Sequence, residues 1–158
     1  MTYRIGEVAK KLGISTSALR FYDAHGLLPF VQRDAQGNRE FTDNDLNYLD
    51  VITVLKKSGV PVATIADFIK LCMQGDDTLV QRYAYLEDTE QALDEQIRAL
   101  KRQKAFLKFK QWYYQTAIEA GTETIHFKAG THDFDPEAKR EYLRLHPEAV
   151  DFAHFVED

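Results

Sequence analysis

Residues 4–28 read RIGEVAKKLGISTSALRFYDAHGLL, and the spacing of their apolar side chains decides the fold. Ile5, Val8, Ala9 and Leu12 recur at i, i+3, i+4 and i+7, the stripe of one amphipathic helix. Gly13 follows where a left-handed residue ends a helix without a Cβ penalty. Ser15 can accept a bond from a free N–H in the first turn of a second helix. That helix has Ala18, Leu19 and Tyr22 at helical spacing, and Gly26 closes it. Two short helices joined by about three residues including a glycine make a helix-turn-helix. Thr16, Ser17 and Arg20 lie near the start of the second helix, where such a helix meets base edges and phosphates.

Downstream, Gln32-Arg33, a turn at Asp34–Asn38 and Arg39-Glu40-Phe41 read as a short hairpin with an arginine on each strand. Thr42 or Asp43 caps a third helix, with Leu46, Leu49, Ile52 and Leu55 in phase up to Ser58-Gly59. Pro61 starts a fourth, through Ile65 and Ile69, which Gln74-Gly75-Asp76 ends.

The succession Arg20-Phe21-Tyr22-Asp23, Gly26-Leu27-Leu28-Pro29, Arg33, Asn38-Arg39 and Phe41 resembles the MerR family of bacterial transcription regulators, over about residues 2–73. Several elements in order make the resemblance specific; a lone helix-turn-helix pattern would be weak. It implies a winged head that binds double-stranded DNA, with Thr16, Ser17, Arg20 and Tyr22 on the DNA face and Arg39 in the wing. Arg33, flanking the same turn, suits backbone contact beside the groove. Tyr3 and Arg4 are further expected phosphate contacts. Lys10 and Lys11 read as a solvated face, and Lys56 and Lys57 complement a helix dipole.

The second signal is a repeat. Leu79, Leu86, Leu93, Leu100 and Leu107 are spaced by seven, and Tyr114 continues the series. Tyr83, Glu90, Ile97, Lys104 and Gln111 interleave, and no Gly or Pro interrupts residues 77–120. This heptad seam is a coiled-coil signature, on a helix of roughly 60 Å at 1.5 Å per residue. A stripe so long wants a partner helix rather than its own head. The expected dimerisation residues are Leu79, Leu86, Leu93, Ile97, Leu100, Leu107 and Tyr114. The resemblance implies an antiparallel homodimer; one register sets Ile97 against Leu100 and Tyr83 against Tyr114 of the partner.

The expected fold is thus mainly α: a winged helix-turn-helix DNA-binding head (1–75), a long antiparallel coiled-coil helix (76–120) and a short C-terminal tail (121–158). In the tail, residues 122–128 have strand character and residues 136–145 helical character, followed by an aromatic end. It is too small for an independent ligand-binding domain. Phe109, Trp112 and Tyr113 belong to an aromatic cluster that either packs between helix end, tail and partner or lines a pocket for a small apolar effector.

Composition narrows the chemistry. Of 158 residues, 44% are apolar and 28% charged, with net charge −5. Residues 1–70 hold nine Lys/Arg against eight Asp/Glu, whereas residues 121–158 hold four against nine, so the acid lies mainly in the tail. A nearly neutral head implies few phosphate contacts per head and two heads acting together. No apolar run is long enough to span a bilayer, and the N-terminus lacks a signal-peptide core, so a cytoplasmic protein is expected.

One cysteine excludes a multi-thiolate metal site within one chain. Metal-sensing members of the resembled family carry cysteines at the start of the long helix and beyond it. Here those places hold Asp76-Asp77-Thr78-Leu79 and residues 121–131. Aldehyde-responsive members carry a cysteine in the third helix, where this chain has Val54. Cys72 reads as structural. His126, His132, His146 and His154 offer no i, i+4 pair, so no metal, cofactor or catalytic group is expected. The resemblance further implies a palindromic operator in an overlong promoter spacer, which the dimer distorts for RNA polymerase in response to a small-molecule effector. An effector-free repressor or architectural protein is the alternative, and a protein–protein adaptor working through the coil is another.

Overall fold

The computed structural model describes residues 1–156. The elements in order are β1 (Thr2–Arg4), α1 (Ile5–Leu12), α2 (Thr16–Ala24), β2 (Gln32–Arg33), β3 (Arg39–Thr42), α3 (Asp43–Lys57), α4 (Val62–Met73), α5 (Leu79–Ala120) and α6 (Glu137–Leu145). The chain is mainly α, and it divides into two compact units, Met1–Leu93 and Asp94–Asp158.

The first unit is the winged head. Gly13 ends α1 at φ 64°, and the Ser15 hydroxyl accepts the Ala18 N–H at 3.0 Å to start α2. Thr42 and Asp45 form a reciprocal capping box on α3, and Pro61 stands at the N-cap of α4. The expected hairpin is present, and β1, which periodicity does not reveal, joins it. The sheet order is β1-β3-β2, all antiparallel, with Tyr3 opposite Phe41 and Arg33 opposite Arg39. Phe41, Leu19, Leu49, Ile52, Ile65 and Ile69 are fully buried in one core. Removing apolar area of this kind from water is worth about 25 cal/mol per Å2 and is the main force holding the helices to the wing.

A 3₁₀ turn at Asp76–Thr78 leads into α5, with the Thr78 hydroxyl donating to Leu71 O at 2.6 Å. The first turns of α5 pack on the head, where Tyr85 meets the Phe68 ring at 4.7 Å. The division by compactness therefore falls at Leu93, not at the end of α4.

The second unit holds the rest of α5 and the tail. Residues 122–128 are not a strand: Glu123–His126 form a 3₁₀ turn, and a single bridge joins Phe127 to Phe134. The reason is local. The Thr122 hydroxyl caps the turn, and His126 Nε2 sits 2.7 Å from Thr116 Oγ1 and 3.1 Å from Tyr113 O. These bonds satisfy a side chain that is buried. Beyond α6, a 3₁₀ stretch (Val150–Phe155) is pinned by Lys139 Nζ donating to Phe155 O at 2.8 Å. Phe109, Tyr113, Tyr142 and Phe152 form the small core of this unit.

Candidate nucleic-acid interface

The site starts from α2, whose first turn carries Thr16 and Ser17 and whose second turn begins near Arg20. Ser17 and Arg20 are exposed, Thr16 is half-buried, and the Tyr22 ring lies in the head core. Arg20 has no ion pair among the described residues. Beside it, Arg4, Arg20 and Arg39 converge on a notch of about 410 Å3 that Gly37 and Asn38 also line. Three arginines line this one concavity, and a guanidinium's forked N–H donors match phosphate oxygens. Gly37, at φ 82°, supplies the left-handed backbone that the wing turn needs.

The wing cations are held by carboxylates. Arg33 and Arg39 are directly opposed across β2 and β3, a like-charge pair that would destabilise a hairpin. Asp23 of α2 resolves the conflict. Its Oδ2 accepts from Arg39 Nε at 2.8 Å, from Arg39 Nη2, and from Arg33 Nη2 at 3.0 Å. Arg33 Nη1 also donates to Gly37 O at 3.1 Å. Arg4 Nη1 donates to Asp34 Oδ2, while Asp34 Oδ1 accepts the N–H groups of Gln36 (3.0 Å) and Asn38 (2.8 Å). The Arg4 guanidinium first, then the Asn38 N–H, hold the Asp34 carboxyl down at about 2. Tyr3 donates to Asp43 at 2.7 Å, which raises the phenol above its usual range and lowers the carboxyl.

Reading residue types therefore finds the arginines and Tyr3 but not their pairing with Asp23, Asp34 and Asp43. Nothing local in the sequence marks Asp23 as the clamp of Arg33 and Arg39, which lie 10 and 16 positions further along the chain.

 The strand that brings Arg39 to Asp23 is set by pairing with β1, a contact of long sequence separation.

The heptad positions of α5 are exposed: Leu79, Tyr83, Leu86, Leu93, Ile97, Leu100, Leu107 and Tyr114 all lie open, from 37% at Leu93 to 66% at Tyr83. Ile118, which extends the interleaved series by one more heptad, is 74% exposed. Of the aromatic candidates, Phe109 and Tyr113 are 1% and 2% exposed, packed by Tyr142, Phe152 and Phe134 of their own tail, and Trp112 is half-buried. The chain's own side chains pack around Phe109 and Tyr113. Burial first, then the bond to Glu123 Oε1 at 2.8 Å, push the Tyr113 phenol up to about 12.

A helix-turn-helix with a cation-bearing wing, its cations gathered on one face, defines a DNA-binding regulator rather than an enzyme. A model of the MerR HTH regulatory protein family matches residues 3–71. Over 122 residues the chain is 42% identical to an uncharacterised HTH-type transcriptional regulator of Haemophilus influenzae, a match covering 77% of this chain and 90% of that protein. Among solved structures, HiNmlR, a MerR family regulator lacking the sensor domain and bound to promoter DNA, superposes with a TM-score of 0.69 at 41% identity, covering 79% of this chain and 99% of that one. A MerR family regulator from Bacillus thuringiensis gives 0.64 at 36% identity, covering 73% and 99%. The chain belongs to the MerR family of transcriptional regulators.

Proposed function

We propose that the chain works as a homodimer, its α5 helices paired antiparallel and its two heads set in successive major grooves of a palindromic operator. The observation that carries this reading is the exposed seam of α5 from Leu79 to Tyr114, apolar except at Glu90, Lys104 and Gln111. A single chain leaves that stripe in water; a second copy removes it. Residues 1–75 are the DNA-binding part, 76–120 the dimerisation helix and 121–158 the tail. Thr16, Ser17 and Arg20 face the groove, while Arg4, Arg39, Arg33, Tyr3 and Tyr22 position the phosphates. The dimer works in the cytoplasm.

Bound in an overlong promoter spacer, the dimer bends and untwists the duplex so that RNA polymerase engages both elements. Such deformation costs several kcal/mol and is offset by head contacts in one conformation only. A small-molecule effector that needs no thiol selects that conformation. The burial of Phe109 and Tyr113 by their own tail favours a second reading, an effector-free regulator.

The test is selection of bound DNA from random fragments, then run-off transcription from a promoter holding the recovered site. An inverted repeat in a long spacer, with transcription raised by a cell extract, supports the effector-driven switch. Repression alone under every extract supports the effector-free reading. Recovery of no preferred sequence overturns both.

A further inference from the structure

The charges of α5 are unevenly divided along its length. Residues 79–97 hold five carboxylates against one cation, Arg82; residues 98–120 hold six cations against one carboxylate, Glu119. With Tyr83, Ile97 and Lys104 at the a positions of the heptad and Leu86, Leu93 and Leu100 at d, the flanking e positions are Glu87, Asp94, Lys101 and Lys108. All four are exposed, and none makes an ion pair within the chain among the described residues. Lys101, Lys104 and Lys108 line a groove of about 300 Å3 whose far wall is Tyr142 and Ala149. Glu148 and Asp151 share that groove with no direct ion pair to the lysines. Glu148 lies 3.3 Å from His146, and its own backbone N–H first, then His146 and the nearby Lys108 charge, lower its carboxyl.

We propose that Glu87, Asp94, Lys101 and Lys108 form an electrostatic code by which a second copy of this chain is recognised, antiparallel and in one register. The proposal rests on the dimer reading and specifies what orients it. In an antiparallel pair, e positions face e positions. When Ile97 meets Leu100 of the second copy, the seam also pairs Tyr83 with Tyr114 and Leu93 with Lys104. In that register Glu87 stands opposite Lys108, and Asp94 opposite Lys101. Each pair occurs twice in the dimer, so four complementary contacts flank the seam. A parallel pair in register would instead stack Glu90 on Glu90 and Lys104 on Lys104, two like-charge layers at the seam itself. The same code discriminates against coiled coils that share the apolar stripe but not the division of charge.

The experiment is a cycle in the full-length chain: Glu87→Lys, Lys108→Glu and the two together, with the dimer dissociation constant measured by analytical ultracentrifugation at low and high salt. Circular dichroism confirms that each variant keeps its helix. Each single substitution turns two attractions into two repulsions and is expected to raise the dissociation constant about tenfold at low salt. The double variant, which restores both pairs with signs exchanged, returns to within about threefold of the unaltered chain, and molar salt shrinks all the differences. If the unaltered chain is a monomer at micromolar concentration, the dimer reading itself falls. If it is a dimer but the double variant is as weak as the singles or weaker, the dimer stands and the code is wrong.

Discussion

Asp23 Oδ2 on α2 accepts a 2.8 Å bond from Arg39 Nε on β3, so one carboxylate ties the recognition helix to the wing. The same oxygen takes Arg33 Nη2 at 3.0 Å. Both Asp23 and Arg39 are about four-fifths covered, which makes this clamp more than a surface ion pair. Asp23→Ala leaves two opposed arginines with no counter-charge. The expected result is a loss of about 1–3 kcal/mol in stability and weaker operator binding, even though the head becomes more basic. A thermal melt and a fluorescence-anisotropy titration check both; unchanged melting with tighter binding would show that Asp23 restrains the arginines rather than positions them.

Arg20 differs from the wing cations in having no carboxylate to leave. It sits exposed on α2, beside the notch lined by Arg4 and Arg39. Arg20→Ala is expected to cost about 1–3 kcal/mol of specific binding, some 10- to 100-fold, with no change in melting temperature. Replacing Arg33, half-exposed and already paired twice, is expected to cost less. Titrations on one selected operator at fixed salt give the ranking.

Two groups predict opposite pH responses. Asp34 is lowered from the ordinary 3.8 to about 2, so its contribution to the wing is present above pH 3.8 and is lost as the pH falls through 2. Tyr113 is raised from 10.0 to about 12, so the contribution of its neutral phenol is present below pH 10 and is lost as the pH rises through 12. Acid titration followed at the Gly37 and Asn38 amides should show the wing turn loosening only below about pH 4. Tyrosinate absorbance should show one phenol lagging the others at high pH.

Leu100 is 62% exposed and stands outside both buried cores. Leu100→Glu is expected to make the protein monomeric at micromolar concentration while the head keeps its melting transition and its amide dispersion. Light scattering and a heteronuclear NMR spectrum distinguish this from unfolding.

Much of the head can be read from local pattern, because its helices are bounded by residues that act on their own backbone: Gly13, Ser15, Thr42 and Pro61 all stop or start helices where their chemistry says. The seam of α5 is legible for a similar reason, since a period of seven needs no knowledge of the rest of the fold. What escapes is what depends on distant partners. β1 has three residues and exists only because β3, some forty positions later, accepts it. The β-branched residues near Thr124 and Ile125 suggest a strand, but only Phe127 finds a bridge partner, and the Thr122 cap and the His126 bonds favour a 3₁₀ turn instead. The arginines and Tyr3 of the interface are visible as residue types, whereas the pairing of the arginines with Asp23 and Asp34, and of Tyr3 with Asp43, is a tertiary fact.

The central claim is that two heads, joined through α5, read one inverted repeat. Its most direct test is a stoichiometric titration of the full-length protein onto a selected operator and onto the same duplex with one half-site scrambled. The account predicts two chains per intact duplex and binding weaker by at least about 100-fold when one half-site is lost. One chain per duplex, with equal affinity for the intact and the scrambled site, would contradict it.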